Sequence, residues 1–202
     1  FSKKINKYKY KLNNLEFNDI YYGQINKSKA IFNSYKLDHN YIITGPNASG
    51  KTTILKATLS NIILSQQVGF GFYKNATLDC FKYIHCYLNI PDTSERDSLF
   101  QAEARRCKKI IDNIENIKED KIFCIFDELY SGTNPEEAIA SAKAFLNYLS
   151  NKTNVSFMIT THYNELCNDT SLTNKNCCMK IISKDNKLTF TYKLIKGINK
   201  IK

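Results

Sequence analysis

The segment from Gly45 to Thr52 reads G-P-N-A-S-G-K-T, a complete G-x-x-x-x-G-K-[ST] motif. Its glycines let backbone N–H groups curl around a phosphate, and the amino end of a following helix adds a positive dipole. Lys51 would reach the β- and γ-phosphate oxygens, and the Thr52 hydroxyl would bind Mg²⁺. The motif predicts a phosphate-binding loop for ATP that comprises Gly45, Pro46, Asn47, Ala48, Ser49, Gly50, Lys51, Thr52 and Thr53.

A second group of candidate residues lies where an apolar run meets two acids. The run Ile122–Phe126 is apolar throughout, as in a buried parallel strand, and Asp127 and Glu128 follow it directly. One carboxylate at such a strand end can hold the Mg²⁺ shell, and a second can polarise an attacking water. The pattern is that of a Walker B strand, with Asp127 as a metal ligand and Glu128 as the general base of hydrolysis.

A histidine ends a third apolar segment. Val155–Thr161 is predicted as a strand, and His162 follows it. A lone histidine at a strand end is usually a capped or core residue. After a phosphate loop and a Walker B strand, however, it favours a group that contacts the γ-phosphate. His162 is therefore the next candidate catalytic residue.

These candidates need alternating strands and helices to hold them. Hydrophobic periodicity predicts helices at Lys51–Ser65, Ser98–Ile117 and Glu136–Leu149. The predicted strands are Tyr41–Thr44, Phe81–Leu88, Lys121–Phe126, Val155–Thr161 and a hairpin of Cys178–Ser183 and Leu188–Leu194 with its turn at Asp185-Asn186. This order predicts an α/β fold with a mainly parallel sheet flanked by helices and antiparallel strands at the ends. Because a glutamate stands directly after the Walker B aspartate, we expect a P-loop NTPase of the ABC ATPase class.

The organisation predicted along the chain is simple. We expect one domain over residues 1–202, with lead-in strands in 1–40 and an ATPase core in 41–197. The start at Phe1 rather than Met predicts a fragment of a longer protein. No apolar run reaches the length of a membrane span, so we expect an intracellular protein without membrane contact, in cytoplasm or nucleus, with organelle or viral origin open.

The amino-acid composition limits the class of protein further. With 43% hydrophobic and 24% charged residues, the 202-residue chain can fold around its own core. The net charge of +10 favours a polyanionic partner, although the abundance of Lys, Asn, Ile and Tyr also fits an A/T-rich coding sequence. The seven cysteines lack metal-site spacing, so we expect buried or free thiols in a reducing compartment.

Four ordered motifs resemble the ATPase domain of the MutS family of DNA mismatch-repair proteins, over about residues 33–197. Thr44–Thr52 matches the family's loop, which begins T-G-P-N and carries G-K-[ST]. Asp97–Glu103 contains its S-x-F-x-x-E segment, and Asp127–Asn134 resembles its D-E-[LIV]-G-R-G-T-[ST]. Thr160–Tyr163 matches its T-T-H-Y.

The resemblance implies three further site residues. Gln67, in the Q-x-G segment Gln67–Gly69, would lie near the metal and the attacking water. Ser98, at the head of a long helix, would point at the γ-phosphate held by the opposite subunit. The aromatic residue that stacks on adenine in the family falls at Ala30 by strict alignment, with Phe32 nearby, so Phe32 is the candidate for that contact.

Three segments depart from the family pattern. The V-P-A that follows Q-x-G is replaced within Phe70–Ala76, and the Gly-Arg after the acids becomes Tyr130-Ser131. The segment Asn134–Ala138 stands where the family has S/T-x-x-D-G. The changes predict a divergent branch with an altered loop after the acids.

The resemblance implies an ATPase that dimerises around two ATP, as a homodimer or as a heterodimer with a MutS paralogue. Its nucleotide state would control clamping of mismatched or branched DNA by domains outside this chain. One alternative is an SMC-like DNA-maintenance ATPase, which the lack of an L-S-G-G-Q stretch disfavours. Others are an ATP-gated scaffold with little turnover and a nucleic-acid-binding module that uses the basic, aromatic stretch Lys3–Lys11.

Overall fold

The computed structural model describes residues 7–11, 14–38, 40–88, 98–168, 172, 174–184 and 187–199. In chain order the strands are β1 (Tyr8–Tyr10), β2 (Glu16–Ile20), β3 (Asn33–Lys36), β4 (Asn40–Thr44), β5 (Asn75–Leu78), β6 (Tyr83–Tyr87), β7 (Ile122–Asp127), β8 (Val155–Thr161), β9 (Asn174–Lys184) and β10 (Lys187–Lys196). The helices are α1 (Lys51–Val68), α2 (Leu99–Glu115) and α3 (Pro135–Ser150), with a short 3-10 helix at Asn164–Leu166.

The described residues form two compact units. The first comprises those within 1–38, 45–80 and 177–202, and the second those within 39–44 and 81–176. The chain passes from the second unit to the first between Thr44 and Gly45, which is the start of the phosphate-loop motif.

The second unit is built on a parallel sheet in the order β4-β8-β7-β6. The β7 residues Ile122–Phe126 are all buried, which agrees with their unbroken apolar sequence. Thr44 pairs with Thr161, and Asp127 pairs with Thr160, so three strands end at one edge of this sheet. Because ligand-binding groups of parallel sheets gather at the carboxyl ends of strands, this edge is the expected place for a site.

Helices cover this sheet through aromatic and polar contacts. The Phe126 ring in β7 meets the Phe145 ring of α3 edge to face, with centroids 5.3 Å apart. The Tyr87 hydroxyl in β6 donates to Glu103 of α2 at 3.0 Å. The unit is therefore a mainly parallel sheet flanked by helices, as the alternation in the sequence predicts.

The first unit holds α1, a small sheet in the order β1-β5-β2-β3 and a terminal hairpin. In that sheet β2 runs antiparallel to both β3 and β5, while β1 and β5 are parallel. Helix α1 is joined to this sheet by a 2.7 Å hydrogen bond between the hydroxyls of Tyr35 and Thr58. Strands β9 and β10 pair antiparallel from Cys177 opposite Lys196 to Lys184 opposite Lys187.

The fold class predicted from the sequence is confirmed: a mixed α/β structure with a parallel-rich sheet, flanking helices and antiparallel strands. Strand β8 has the predicted bounds, and β9 and β10 form the predicted hairpin, whose turn at Asp185-Asn186 lies outside the described residues. Strand β5, at Asn75–Leu78, was not predicted from the sequence.

Five of the seven cysteines are buried, as expected, and none of the seven, all of which lie among the described residues, forms a disulfide. Among the described residues, the helices are too short or too polar to cross a membrane.

Candidate functional site

The phosphate loop lies in the first unit and leads directly into α1. Gly50 is the N-cap residue of this 18-residue helix and has a φ of 98°, in the left-handed region that glycine adopts without strain. A Cβ atom at Gly50 would lie 3.0 Å from Cδ1 of Tyr192, so the backbone also passes close to that ring. Within the described part of the chain, no side chain caps this helix end. An anion is the natural partner for such an uncapped amino end.

Two buried side chains of the loop fit a phosphate. Lys51 is 5% exposed, and its Nζ donates to the backbone oxygen of Pro46 at 3.3 Å, so the ammonium lies along the loop. Ser49 is 1% exposed, and its hydroxyl oxygen has no hydrogen-bond partner among the described residues. A buried hydroxyl without a partner costs roughly 1–3 kcal/mol, and a phosphate oxygen would supply the missing acceptor.

A cavity of about 200 Å³ adjoins the loop within the same unit. Its walls include Tyr21, Tyr22, Ile25, Ala30, Ile31 and Tyr192 together with Gly50, Thr53 and Ile54 of the loop and α1. Aromatic and apolar walls with a few hydroxyl groups suit a flat heterocycle such as a nucleobase. The cavity therefore lies where the base of a nucleotide would be expected if its phosphates occupied the loop.

Asn33 holds Tyr192 at this cavity. Its side-chain oxygen accepts a hydrogen bond from the Leu194 N–H at 2.8 Å, and its Nδ2 donates to the Tyr192 backbone oxygen at 3.1 Å. Asn33 is itself buried. The amide thus fixes the backbone of β10 at the point where Tyr192 enters the wall.

Phe32 lies outside this cavity. It lines a second cavity of about 260 Å³, and its ring contacts Tyr21 edge to face with centroids 5.3 Å apart. Ala30, the position that strict alignment gives, does line the first cavity. Sequence reasoning missed Tyr21, Tyr22 and Tyr192 because they come from segments far from the motif. The aromatic content of those segments was the only signal for them.

Gln67 lies at the opposite end of α1 from the phosphate loop. It lies in the last turn of α1, whereas Thr52 lies in the first turn of the same helix. At 1.5 Å per residue the two positions are about 22 Å apart along the helix axis. The prediction that Gln67 lies near the metal is wrong, because no side chain reaches across that distance to an ion held by Thr52.

The acidic residues lie in the second unit at the end of β7. The Thr160 hydroxyl donates to Oδ1 of Asp127 at 2.5 Å, and the Glu128 N–H donates to the Thr160 backbone oxygen at 3.1 Å. Both acidic residues are half-buried, so their carboxylates are not sealed in the core. Glu128 has a φ of 53°, a left-handed conformation that is uncommon outside glycine. Strand pairing to β8 therefore fixes this strained residue.

His162 is placed at the same sheet edge as the two acids. Its predecessor Thr161 ends β8, next to the Thr160 that binds Asp127. The His162 ring is exposed, and it lies 4.1 Å from the Tyr163 ring between centroids. Burial raises the pKa of Tyr163, and the negative charge of Glu128 raises it further. The structure thus places Asp127, Glu128 and His162 at the same edge of the sheet.

Ser98 begins α2 in the second unit. Its hydroxyl accepts a hydrogen bond from the Gln101 N–H, and the Gln101 side chain accepts one from the Ser98 N–H, which is a capping box. Ser98 is exposed, so the hydroxyl at this helix end is accessible. This agrees with the predicted position at the head of a long helix, whose observed start is Leu99.

Among the described residues, no three His, Cys, Asp or Glu side chains cluster as a metal site. A Mg²⁺ site of a nucleotide-binding protein does not need such a cluster, because one or two protein oxygens and the substrate phosphates suffice. Thr52 and Asp127 are oxygen donors of the type that Mg²⁺ prefers.

The chain is similar in sequence to known proteins. Residues 41–202 match the family model of MutS domain V. The DNA mismatch repair protein MutS of Streptococcus suis is 29% identical over 178 residues, which cover 85% of this chain and 20% of that protein. The endonuclease MutS2 of Acetivibrio thermocellus is 31% identical over 160 residues, which cover 78% of this chain and 19% of that protein. The chain therefore spans about a fifth of the length of these relatives.

Proposed function

The chain belongs to the MutS domain V family, and from that premise we propose that it binds and hydrolyses ATP. The observation that carries the proposal is the phosphate loop beside an aromatic cavity, with a buried Ser49 hydroxyl that has no hydrogen-bond partner within the described residues. The loop fits the phosphates, and the cavity fits the base. The two features together favour a nucleotide over a simple anion.

In this proposal the phosphate loop supplies binding. The backbone from Gly45 to Gly50 and the start of α1 surround the phosphates, and Lys51 neutralises their charge. The Ser49 hydroxyl donates a hydrogen bond to a phosphate oxygen. Tyr192 and the neighbouring apolar groups hold the base.

The family resemblance assigns Asp127 and Glu128 to the same reaction. Thr52 and Asp127 are the proposed Mg²⁺ ligands, and Mg²⁺ when bound offsets negative charge on the phosphates. Glu128 accepts a proton from the attacking water, since its carboxylate is partly exposed next to the metal ligand in sequence. His162, exposed at the same strand edge, donates a hydrogen bond to the γ-phosphate.

The names of the relatives support a proposed role for the full protein. A relative is named a DNA mismatch repair protein, and we propose the same role here, with the ATP state controlling a clamp on mismatched or branched DNA. The working form is a dimer of this chain with itself or with a paralogue around two ATP. Each site would then receive Ser98 from the opposite subunit, which the exposed hydroxyl at the head of α2 supports.

The dimer is tested by measuring phosphate release per chain as chain concentration rises. We expect the specific activity of the wild type to increase with concentration, and we expect Ser98→Ala to lower it at every concentration. Ser183→Ala is the matched control, because Ser183 is an exposed serine in β9 outside the proposed site.

Activity that is independent of concentration and unchanged in Ser98→Ala would contradict the composite site. ATP binding without any turnover, even in concentrated samples, would instead favour a nucleotide-gated scaffold.

A further inference from the structure

Glu103 is a buried carboxylate in α2 and is not among the residues proposed to bind or cleave ATP. It is 2% exposed, although an ionised carboxylate is costly to remove from water. Its Oε1 accepts hydrogen bonds from the Tyr87 hydroxyl at 3.0 Å, from the Ser131 N–H at 3.3 Å and from the Ser131 hydroxyl at 3.4 Å. Its Oε2 accepts from the Gly132 N–H at 3.3 Å. Such a set of donors compensates the burial of the charge.

Three of these four donors belong to the segment that directly follows Asp127. We call Glu128–Gly132 the acid loop. Two of the donors are consecutive backbone N–H groups, those of Ser131 and Gly132. The carboxylate therefore fixes the backbone conformation of this segment and not only a side chain. Glu103 therefore fixes the far end of the acid loop to α2.

The near end of the acid loop is fixed separately. The Glu128 N–H donates to the backbone oxygen of Thr160 at 3.1 Å, which ties it to β8. Between the two anchors, Leu129 and Tyr130 are 3% and 5% exposed. The short segment that carries Glu128 is thus held at both ends and packed in the middle.

The acid loop is also strained. Glu128 and Tyr130 have φ values of 53° and 58°, in the left-handed region that residues other than glycine rarely adopt. Such a conformation persists only where surrounding contacts enforce it. Release of one anchor would let the segment relax and would turn the Glu128 side chain.

We propose that Glu103 is a positioning residue that holds the acid loop and thereby sets the orientation of the Glu128 carboxylate. This inference rests on the proposed function, because it concerns the efficiency of the hydrolysis assigned to Glu128. Glu103 itself touches no substrate in this scheme. It acts through the backbone of Ser131 and Gly132.

The test is Glu103→Gln in the full chain. Glutamine keeps the size of the side chain but has one oxygen, so it cannot accept hydrogen bonds from the Ser131 and Gly132 N–H groups with two separate oxygens. We expect kcat for ATP hydrolysis to fall about tenfold to hundredfold, since small displacements of catalytic groups have effects of this size. We expect the KM for ATP to stay within about twofold, because the phosphate loop is not among the contacts of Glu103.

The matched control is Tyr87→Phe, which removes one hydrogen bond to Glu103 and leaves the three from the acid loop. Its kcat should stay within about twofold of the wild type. Hydrogen exchange at Ser131 and Gly132 gives a second readout, which should accelerate in Glu103→Gln and not in Tyr87→Phe. If Glu103→Gln fails to fold, Glu103→Asp carries the test, since it keeps the charge, shortens the reach and should lower kcat several-fold.

Wild-type kcat in the Glu103 variants, or a change confined to KM, would overturn the inference. A wild-type chain that neither binds nor hydrolyses ATP would instead overturn the proposed function. In that case the exchange of Ser131 and Gly132 still decides whether Glu103 holds the acid loop.

Discussion

The phosphate loop and the acid loop both contain residues in the left-handed conformation, but the types of those residues differ. In the phosphate loop the left-handed positions belong to small residues, Ala48 with a φ of 61° and Gly50 with a φ of 98°. In the acid loop they belong to Glu128 and Tyr130. In the described part of the chain the Ser49 hydroxyl of the phosphate loop has no hydrogen-bond partner, whereas Glu103 accepts hydrogen bonds from the acid loop. The acid loop is thus held in place by hydrogen bonds to Glu103.

Tyr130 shows how a departure from the family pattern is accommodated. The resemblance implies glycine at this position, and the φ of 58° explains why glycine would suit it. The tyrosine ring instead fills a buried space, with its centroid 5.5 Å from that of Phe100. Burial raises the pKa of its hydroxyl. Packing thus compensates part of the backbone strain.

The largest effect should come from the phosphate loop. Lys51→Ala removes the buried ammonium and its charge-assisted hydrogen bonds, each worth about 1.5–3 kcal/mol. We expect ATP affinity to fall at least hundredfold in a titration with a fluorescent ATP analogue. Lys56→Ala, also on α1, should change affinity less than twofold. Equal losses in both variants would contradict a specific role for the loop lysine.

A substitution in the acid loop should lower the free energy of unfolding of the protein. Tyr130→Gly relieves the left-handed strain but empties a buried aromatic site, and the loss should exceed the gain. We expect unfolding free energy in urea to drop by about 3 kcal/mol. Tyr130→Phe, which keeps the ring, should cost about 1 kcal/mol or less. A more stable glycine variant would show that strain outweighs packing here.

A pH effect should come from Cys107, the α2 residue that hydrogen-bonds Tyr130. Burial raises the pKa of this thiol to about 11, and the charge of Glu103 raises it further, while Tyr130 and Arg106 oppose the shift. The unfolded thiol ionises near its ordinary pKa of 9.0, so stability is fully present below that value and is lost as pH rises towards 11. We expect Cys107 to contribute a loss of about 2 kcal/mol over this window.

Denaturation at pH 8, 9, 10 and 11 measures that loss. Cys107→Ala should flatten the pH dependence, whereas Cys80→Ala, at an exposed cysteine, should leave it unchanged. Identical slopes in all three chains would show that the thiol does not titrate differently on folding.

The smallest effect should be at the cavity of about 200 Å³ beside the phosphate loop, which Tyr192 lines and which we call the base cavity. Tyr192→Ala removes one aromatic wall and should weaken ATP about tenfold, in line with about 1–1.5 kcal/mol for a stacked ring. Tyr10→Ala, at a tyrosine that is 61% exposed in β1, is the control. Equilibrium binding of ATP and of inorganic triphosphate separates the contribution of the base from that of the phosphates. Tyr192→Ala should weaken the binding of ATP only, because inorganic triphosphate has no base.

Sequence periodicity predicted the elements that have long, regular apolar patterns. Helix α2 and strands β7 and β8 follow from their buried faces, and Ser98 proves to be the N-cap of α2. Strand β5 was not predicted, because it has four residues and only two of them are buried. Its pairing with β1 and β2 depends on contacts between distant parts of the chain.

The candidate site was predictable where the chemistry lies in one continuous motif. The phosphate loop and the Asp127-Glu128 pair are of this kind. The base cavity was not predictable, because its lining residues lie far apart in the sequence, in β2 and β10 among other elements, and meet only in the folded unit. Gln67 was misplaced because a motif match ignores the length of α1.

The central claim is that Lys51 and its loop bind ATP while Glu128 cleaves it. The direct measurement is the identity of the nucleotide bound after incubation of wild type, Glu128→Gln and the exposed control Glu136→Gln with ATP and Mg²⁺. We expect ADP in the wild type and the control, and intact ATP in Glu128→Gln. ADP in Glu128→Gln at the wild-type rate would contradict the assignment, and no nucleotide in any chain would contradict ATP binding itself.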